Sequence, residues 1–477
     1  MSKYLYGASV QGIQGFIFET NELKSIIGAS EIIESISKSI SKDYGKNIVV
    51  NAAGNIKLIF NEEEKSQLEE LVKNFTKEVR QGAFGITISQ AVVVFEEGEL
   101  KDSFNILEKR LMEARNQLEV PLDMSINLIE LASKTAKPIV DDKKDKATLQ
   151  KEKAYEDAYK NNKEFSQIGK LKNSKSKIAI IHADGNGLGA MIASMAKDLK
   201  SDEEVREMYK TFSSQLKEAT DSAIDEAEKA VEKLKLRRVI VGGDDLTVIC
   251  DANSALEFTY EYLYHFEKKT KEIFKNDGLT ACAGIAYCNH KYPFHYAVNL
   301  AESLCKESKK HSKKLNEDLA PSSLMFHNIQ SSSFTDYEDY IESELTLRPN
   351  EHEEIYLNYG PYFIEKQDEY AMAKDFIYLA EALKVKGSPM SRLRDWLSIL
   401  GQDFDMAKNR LFRINEMMDL RDDVYKKSSL VNALRAFNDD IELTKLTYRR
   451  GDNKLYSPIY DVDKYLSVTD GGDRDEV

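Results

Sequence analysis

Cysteine is scarce in this chain, and what little there is forms no pattern. Only Cys250, Cys282, Cys288 and Cys305 occur in 477 residues, and no two make a Cys-x-x-Cys pair. That excludes a cysteine zinc module and a disulfide framework, and points to reduced, buried thiols in a cytosolic protein. Histidine is also sparse, with seven scattered residues and no His-Asp doublet. No apolar run approaches membrane-spanning length, and the opening Met-Ser-Lys-Tyr-Leu-Tyr-Gly lacks a signal-peptide pattern. A cytoplasmic protein with no membrane partner is therefore expected. Excess positive charge is missing too: 67 Lys and Arg face 81 Asp and Glu, for a net charge of −14. A protein that coats nucleic acid non-specifically carries the opposite sign.

What is present is a soluble globular composition, 42% hydrophobic and 31% charged, in a chain long enough for two to four domains. Its most informative stretch is residues 239 to 250, Val-Ile-Val-Gly-Gly-Asp-Asp-Leu-Thr-Val-Ile-Cys. Two β-rich runs flank a four-residue turn, which predicts a hairpin with Asp244 and Asp245 at its tip. Gly242 and Gly243 let a ligand approach the backbone there. Two hard oxygen ligands between buried strands suit a magnesium ion better than a core.

Upstream, residues 177 to 183 read as a buried strand ending at Asp184-Gly185-Asn186-Gly187. Leu188, Met191, Ile192, Met195 and Leu199 then repeat at helical spacing. A second helix is expected over roughly 203 to 235. After the hairpin, Ser254 and Glu257 have capping-box spacing and open a helix to about residue 274. A strand over 279 to 288 and a helix over 294 to 314 follow. The order is β-α-β-β-α-β, the ferredoxin-like plan, which lays the first strand beside the central hairpin. Asp184, Asp244 and Asp245 should therefore converge as ligands for Mg2+ or Mn2+. Two such ions can bind a triphosphate and activate a ribose hydroxyl. Asp184 and Asp244 are the first choice as ligands, with the Gly185 carbonyl as a third. Asp245 either ligates or orients the attacking hydroxyl. The backbone from Gly185 through Asn186 and Gly187 to Leu188, at a helix start, suits a triphosphate. Among the five lysines of the 294 to 314 helix, Lys309 is singled out as a phosphate contact.

The first 120 residues repeat this plan. Residues 48 to 60 mirror 238 to 250, so Ala52-Ala53-Gly54-Asn55 stands where Gly-Gly-Asp-Asp stands later. Ser9 replaces Asp184, so this copy keeps the frame and lacks the acids.

These motifs resemble the large polymerase-like subunit of type III CRISPR effector complexes, which has two palm domains of the nucleotidyl-cyclase superfamily. Gly242 to Asp245 and Asp184-Gly185-Asn186 are similar to the family's second-palm motifs. Gly12-Ile13-Gln14-Gly15-Phe16-Ile17, through Gly28-Ala29-Ser30, is similar to the opening of its first palm. The resemblance covers residues 1 to 120 and 177 to 315. It implies an α+β fold of two ferredoxin-like palms and conversion of ATP to cyclic oligoadenylate, a second messenger of antiviral defence. Implied partners are guide RNA–protein effector subunits and target RNA. Three departures stand out. The chain starts at the first palm strand without a His-Asp nuclease domain, residues 121 to 176 hold no cysteine, and Asn186 stands where an acid is common.

The expected organisation is a first palm at 1–120, an exposed helical connector at 121–176 and a second palm at 177–315. A mixed extension at 316–365 precedes a C-terminal helical domain and polar tail at 366–477, with Trp396, Leu397, Leu400, Leu411 and Phe412 as core. A guide-independent cyclic-dinucleotide synthase and a non-catalytic nucleotide-binding scaffold remain as alternative functions. A diguanylate cyclase ranks lower, because Asp245-Leu246 stands where those enzymes have Glu-Phe.

Overall fold

The computed structural model describes residues 2–52, 54–116, 129–159, 167–275, 278–330, 337–350, 353–419, 427–437, 445–450 and 454–471. The first unit runs β1 (Lys3–Gln11), α1 (Ile13–Ile17), α2 (Leu23–Tyr44), β2 (Ile48–Ala52), β3 (Asn55–Asn61), α3 (Lys65–Gly82), β4 (Thr87–Phe95) and α4 (Leu100–Arg115). Its sheet has the order β2-β3-β1-β4, with β1 antiparallel to both neighbours. Alternation along β1 divides two layers: Tyr6, Ala8 and Val10 face α2 and α3, while Leu5 faces α4.

The second unit repeats this arrangement. It comprises β7 (Lys177–Asn186), α6 (Leu188–Ala196), α7 (Asp202–Ala230), β8 (Leu236–Gly242), β9 (Asp245–Asp251), α8 (Ala255–Phe274), β10 (Thr280–Asn289) and α9 (Phe294–Leu315). Its strands lie in the order β10-β7-β9-β8. A helix starts at Asp202 because Ser201 and Glu204 form a reciprocal capping box. The same spacing at Ser254 and Glu257 does not form one: Ser254 makes no cap bond, and Asp251 instead accepts from the amides of Asn253 and Ser254.

Between the units, β5 (Ile139–Asp141), β6 (Lys144–Asp145) and α5 (Lys146–Tyr159) replace the exposed helical connector that the sequence suggests. The charged run 141–145 turns a hairpin, with Asp142 and Lys143 at positive φ, and Lys146 begins α5. Helix α5 docks on α2, so closely that a Cβ on Gly28 would lie 1.8 Å from the Lys151 carbonyl. Lys151 is fully buried there, pairing with Glu19 at 2.8 Å and sitting 4.2 Å from the Phe16 ring centre.

The remainder departs from the expected extension and separate helical domain. Strand β11 (Ser323–Asn328) joins β10 in parallel, α9 forming the crossover, and β14 (Tyr362–Phe363) completes a six-stranded sheet. Helix α10 (Tyr337–Glu344) leads to β12 (Thr346–Asn350) and β13 (Glu353–Tyr356). After α11 (Ala373–Lys384), α12 (Met390–Leu400), α13 (Phe404–Asp419) and α14 (Lys427–Phe437), β15 (Tyr448–Arg449) and β16 (Leu455–Tyr456) return to pair with β13. Helix α15 (Ile459–Val468) closes the described chain, leaving most of the expected polar tail, 472–477, outside the described residues. Trp396, Leu400 and Leu411 are buried in a core shared with the second sheet, but Phe412 is 53% exposed. Among the described residues no helix is long and apolar enough to cross a membrane.

Each palm-like unit covers the other's sheet. Helix α2 packs Ile26, Ile32 and Ile36 in one core with Ile180, Val239 and Ile249 of the second sheet, and Ser30 donates to the Val239 carbonyl at 2.5 Å. Reciprocally, α7 sends Val205 and Tyr209 against Leu5, Val49 and Phe104 of the first unit. The rings of Phe104 and Tyr209 stack with centres 4.2 Å apart.

Candidate active site

Three aspartates meet because β7 and β9 are antiparallel neighbours, with Ala183 opposite Leu246. The register brings Asp184 beside Asp245, and the β8–β9 turn adds Asp244. One carboxylate oxygen from each lies within 4.8 Å of the others. Strand β7 continues through Asp184 to Asn186, so Asp184 lies within the strand and not at its end as the sequence suggests. Gly187 and Gly243 then take positive φ at the helix start and the hairpin turn. The hairpin turn is pinned to α7 by Thr220, whose hydroxyl donates to the Gly243 carbonyl at 2.6 Å, while Gly242 ends β8 opposite Asp245. Gly185 leaves room for the acid beside it: a Cβ there would stand 2.7 Å from the Asp244 Cβ. Its N–H donates to the Asp244 carboxylate.

Lys309 reaches in from α9. Its Nζ donates to Asp184 Oδ2 at 2.5 Å and to the Gly185 carbonyl at 2.7 Å. Burial works against the Lys309 charge, yet Asp184 outweighs it and raises the ammonium above its usual range. The hairpin acids shift the other way. Burial, reinforced by the Asp184 charge, lifts Asp244 to about 6. Burial, then Asp244 and Asp184, lifts Asp245 to about 7. One lysine against three carboxylates leaves the cluster short of positive charge. Its all-oxygen donor set, with the Gly185 carbonyl alongside, fits a hard divalent cation such as Mg2+ or Mn2+.

Asn186 is placed differently from the expected substrate contact. It is 2% exposed, and its amide donates to Thr280, Cys282 and the Ala320 carbonyl. The side chain therefore ties β7 to β10 and to the loop after α9. Three residues escaped the sequence reading. His182 and Thr247 are buried beneath the acids with Nδ1 and Oγ1 3.1 Å apart, and burial holds the imidazole below its usual range. Tyr262, from α8, has a buried hydroxyl with no hydrogen-bond partner among the described residues. Burial, then the charges of Asp244, Asp245 and Asp184, raises it. No local motif marks these positions; they become neighbours only through strand register and helix packing.

The first unit holds the counterpart of this site with its chemistry exchanged. Ser9 is third from the end of β1, as Asp184 is third from the end of β7. Gly54 takes the place of Asp244, and Val10 that of Gly185. A Cβ on Gly54 would lie 2.9 Å from the Val10 Cβ. In one copy glycine on the strand admits the acid. In the other, glycine on the turn admits valine.

Comparison with known proteins matches the same region. Residues 177–317 match the family model for the second palm domain of Cas10/Cmr2. No curated protein matches the chain. Solved structures share the fold over nearly its whole length. A Csm1–Csm4 cassette in complex with AMPPNP aligns at TM-score 0.53 and 14% identity, covering 98% of this chain and 69% of its own. The Csm1–Csm4 subcomplex of the type III-A CRISPR-Csm interference complex aligns at 0.52 and 14%, with the same coverage. A cassette in complex with cA4 aligns at 0.51 and 12%, again with that coverage. Fold and acid cluster together define a double-palm α+β protein. More particularly, residues 177–317 are similar to the second palm domain of Cas10/Cmr2.

Proposed function

We propose that this protein is a metal-dependent nucleotidyltransferase that converts ATP to a cyclic oligoadenylate-type messenger in CRISPR-linked antiviral defence. The observation that carries this reading is the convergence of Asp184, Asp244 and Asp245, with Lys309 bonded to one of them. The second-palm match and the nucleotide and cA4 complexes of similarly folded proteins support it. Residues 177–315 are the active palm and 1–120 the acid-free copy.

Each elongation step joins a ribose hydroxyl oxygen of one ATP to the α-phosphorus of another and releases pyrophosphate. Asp184 and Asp244 would hold Mg2+ or Mn2+, which when bound supplies Lewis-acid neutralisation of phosphate charge. Asp245, raised to about 7, can hold or release a proton near neutral pH and orients the attacking hydroxyl. The amides of Gly187 and Leu188, at the start of α6, face phosphate oxygens, and Lys309 adds positive charge to the same end of the site. Guide RNA–protein effector subunits and target RNA are the partners through which the activity is switched.

The test is incubation with ATP and Mg2+ or Mn2+, alone and with guide complex and target RNA, followed by mass spectrometry of products. Cyclic or linear oligoadenylates are expected, with Asp184→Ala and Asp244→Ala each lowering their rate about 10³-fold or more. Untouched ATP under every condition would overturn the reading.

A further inference from the structure

Lys309 has a flexible four-carbon side chain, which holds one geometry only where its backbone is fixed. Two features fix the part of α9 that bears it. At Gly284 the helix lies directly on β10: a Cβ there would stand 2.0 Å from the Ala301 carbonyl oxygen and 2.6 Å from the Cys305 nitrogen. Further along, Ser308 and Ser312 bracket Lys309 in sequence and turn their hydroxyls to Ser323 Oγ, at 2.7 and 2.6 Å. All three serines are fully buried. A serine inside a helix commonly bonds back to the carbonyl one turn earlier, as Ser303 does to Asn299 at 2.8 Å. Ser308 and Ser312 cross to β11 instead.

Strand register gives that crossing its purpose. Cys282 of β10 lies opposite Ser323 on one side and Asp184 on the other, so the three side chains share one face of the sheet. The hydroxyl cluster continues along this row. Cys282 Sγ lies 3.5 Å from Ser323 Oγ and accepts from the Asn186 amide at 3.3 Å. Asn186 in turn ends the strand that carries Asp184. One buried network therefore reaches both members of the Lys309–Asp184 pair, the lysine's helix through two serines and the aspartate's strand through Asn186. Apolar side chains could fill the same seam, but O–H bonds of defined length and direction resist sliding of helix over strand.

We propose that Ser323, acting through Ser308 and Ser312, is a positioning residue for nucleotidyl transfer: it seats α9 so that Lys309 Nζ meets Asp184 and the Gly185 carbonyl. This rests on the reading of the site given above. Ser323 lies beyond residues 177–317, so the working palm takes in β11 as well as the matched region.

A double-mutant cycle on the full chain tests it, pairing Ser323→Ala with Lys309→Met and reading Mn2+ affinity by electron paramagnetic resonance and product formation from ATP. An unseated Lys309 competes less well for Asp184, so Ser323→Ala should tighten Mn2+ binding about two- to threefold and lower turnover about tenfold. In the Lys309→Met background, Ser323→Ala should change neither by more than about twofold. Leu324→Ala is the control for stability, because Leu324 is buried on the same strand but faces the other layer. It should lower the melting temperature without moving Mn2+ affinity. Should Ser323→Ala fail to fold, Ser312→Ala removes one of the two links from a position where alanine suits the helix, with a smaller shift of the same sign expected. Equal effects of Ser323→Ala with and without Lys309 overturn the proposal, and so does unchanged or weakened Mn2+ affinity, or the same shift in Leu324→Ala. The catalytic reading fails separately: a chain that makes no product can still show the Mn2+ cycle, and one that makes product can lack it.

Discussion

Asp245 bears most of the electrostatic cost of the site. Its carboxyl is lifted to about 7 by burial and then by two neighbouring acids, so its charged form is disfavoured in the folded chain relative to the unfolded one. The sign follows directly. Above the folded value the charge lowers stability in full, and below the unfolded value the effect is gone. Asp245→Asn should therefore stabilise the metal-free protein by about 1–3 kcal/mol near pH 8, the gain fading toward about pH 4. Urea unfolding in EDTA at several pH values measures this, and equal gains at both ends would refute it. Lys309 allows a second prediction. It occupies Asp184 and the Gly185 carbonyl, both proposed ligands, so Lys309→Met should tighten Mn2+ binding by about three- to tenfold while lowering turnover. Electron paramagnetic titration of Mn2+ reads the first effect and product formation the second. Gly185→Ala should cost about 10²-fold in activity and lower stability as well, because its methyl would displace Asp244 within a buried strand, as kinetics and urea unfolding would show.

At the scale of elements, the strands and helices bearing the acids were legible in the sequence, since β-rich runs and helical periodicity mark them. Their ends were not. Strand β7 runs on through Asp184-Gly-Asn because β10 pairs with it to that point, Thr280 lying opposite Asn186. Two Ser-x-x-Glu stretches look alike, yet only Ser201 caps a helix. At Ser254 the preceding turn had already given its amides to Asp251. Ser201→Ala should accordingly cost about 1 kcal/mol in thermal or urea unfolding. Asp251→Ala should cost more than Ser254→Ala, because Asp251 accepts from Asn253 and Ser254 of that turn and also from the Lys235 amide before β8. Helix α9 shows what spacing leaves unread. Ser308 and Ser312 both reach Ser323 Oγ, at 2.7 and 2.6 Å, in a buried hydroxyl cluster beside Cys282. Their partner lies on β11, beyond the region where a palm was expected to end, so nothing within the helix itself signals the seam that holds Lys309 in place.

At the scale of the whole molecule, the internal repeat was visible as a sequence correspondence, but the exchange of helices was not. A helix that covers a neighbour's sheet has the same amphipathic pattern as one that covers its own. With α2 wedged against Val239 and Ile249, and α7 against Val49 and Phe104, the units share their cores. Residues 177–477 produced alone should therefore expose the Ile178, Ile180 and Ile249 face and aggregate, and co-expression with residues 1–176 should restore soluble, cooperative unfolding. A stable, monomeric 177–477 fragment would contradict this.

The opposed glycines at 54 and 185 also make each site depend on a pair of positions. Placing an acid at position 54 alone drives its side chain into Val10, and trimming Val10 alone leaves a void under an empty turn. Neither single change is accommodated, so only the double change, at 54 and 10 together, would be expected to keep stability. The asymmetry between the two palms is thus locked by paired contacts: each turn accepts its own side chain only because the strand residue facing it is the complementary size.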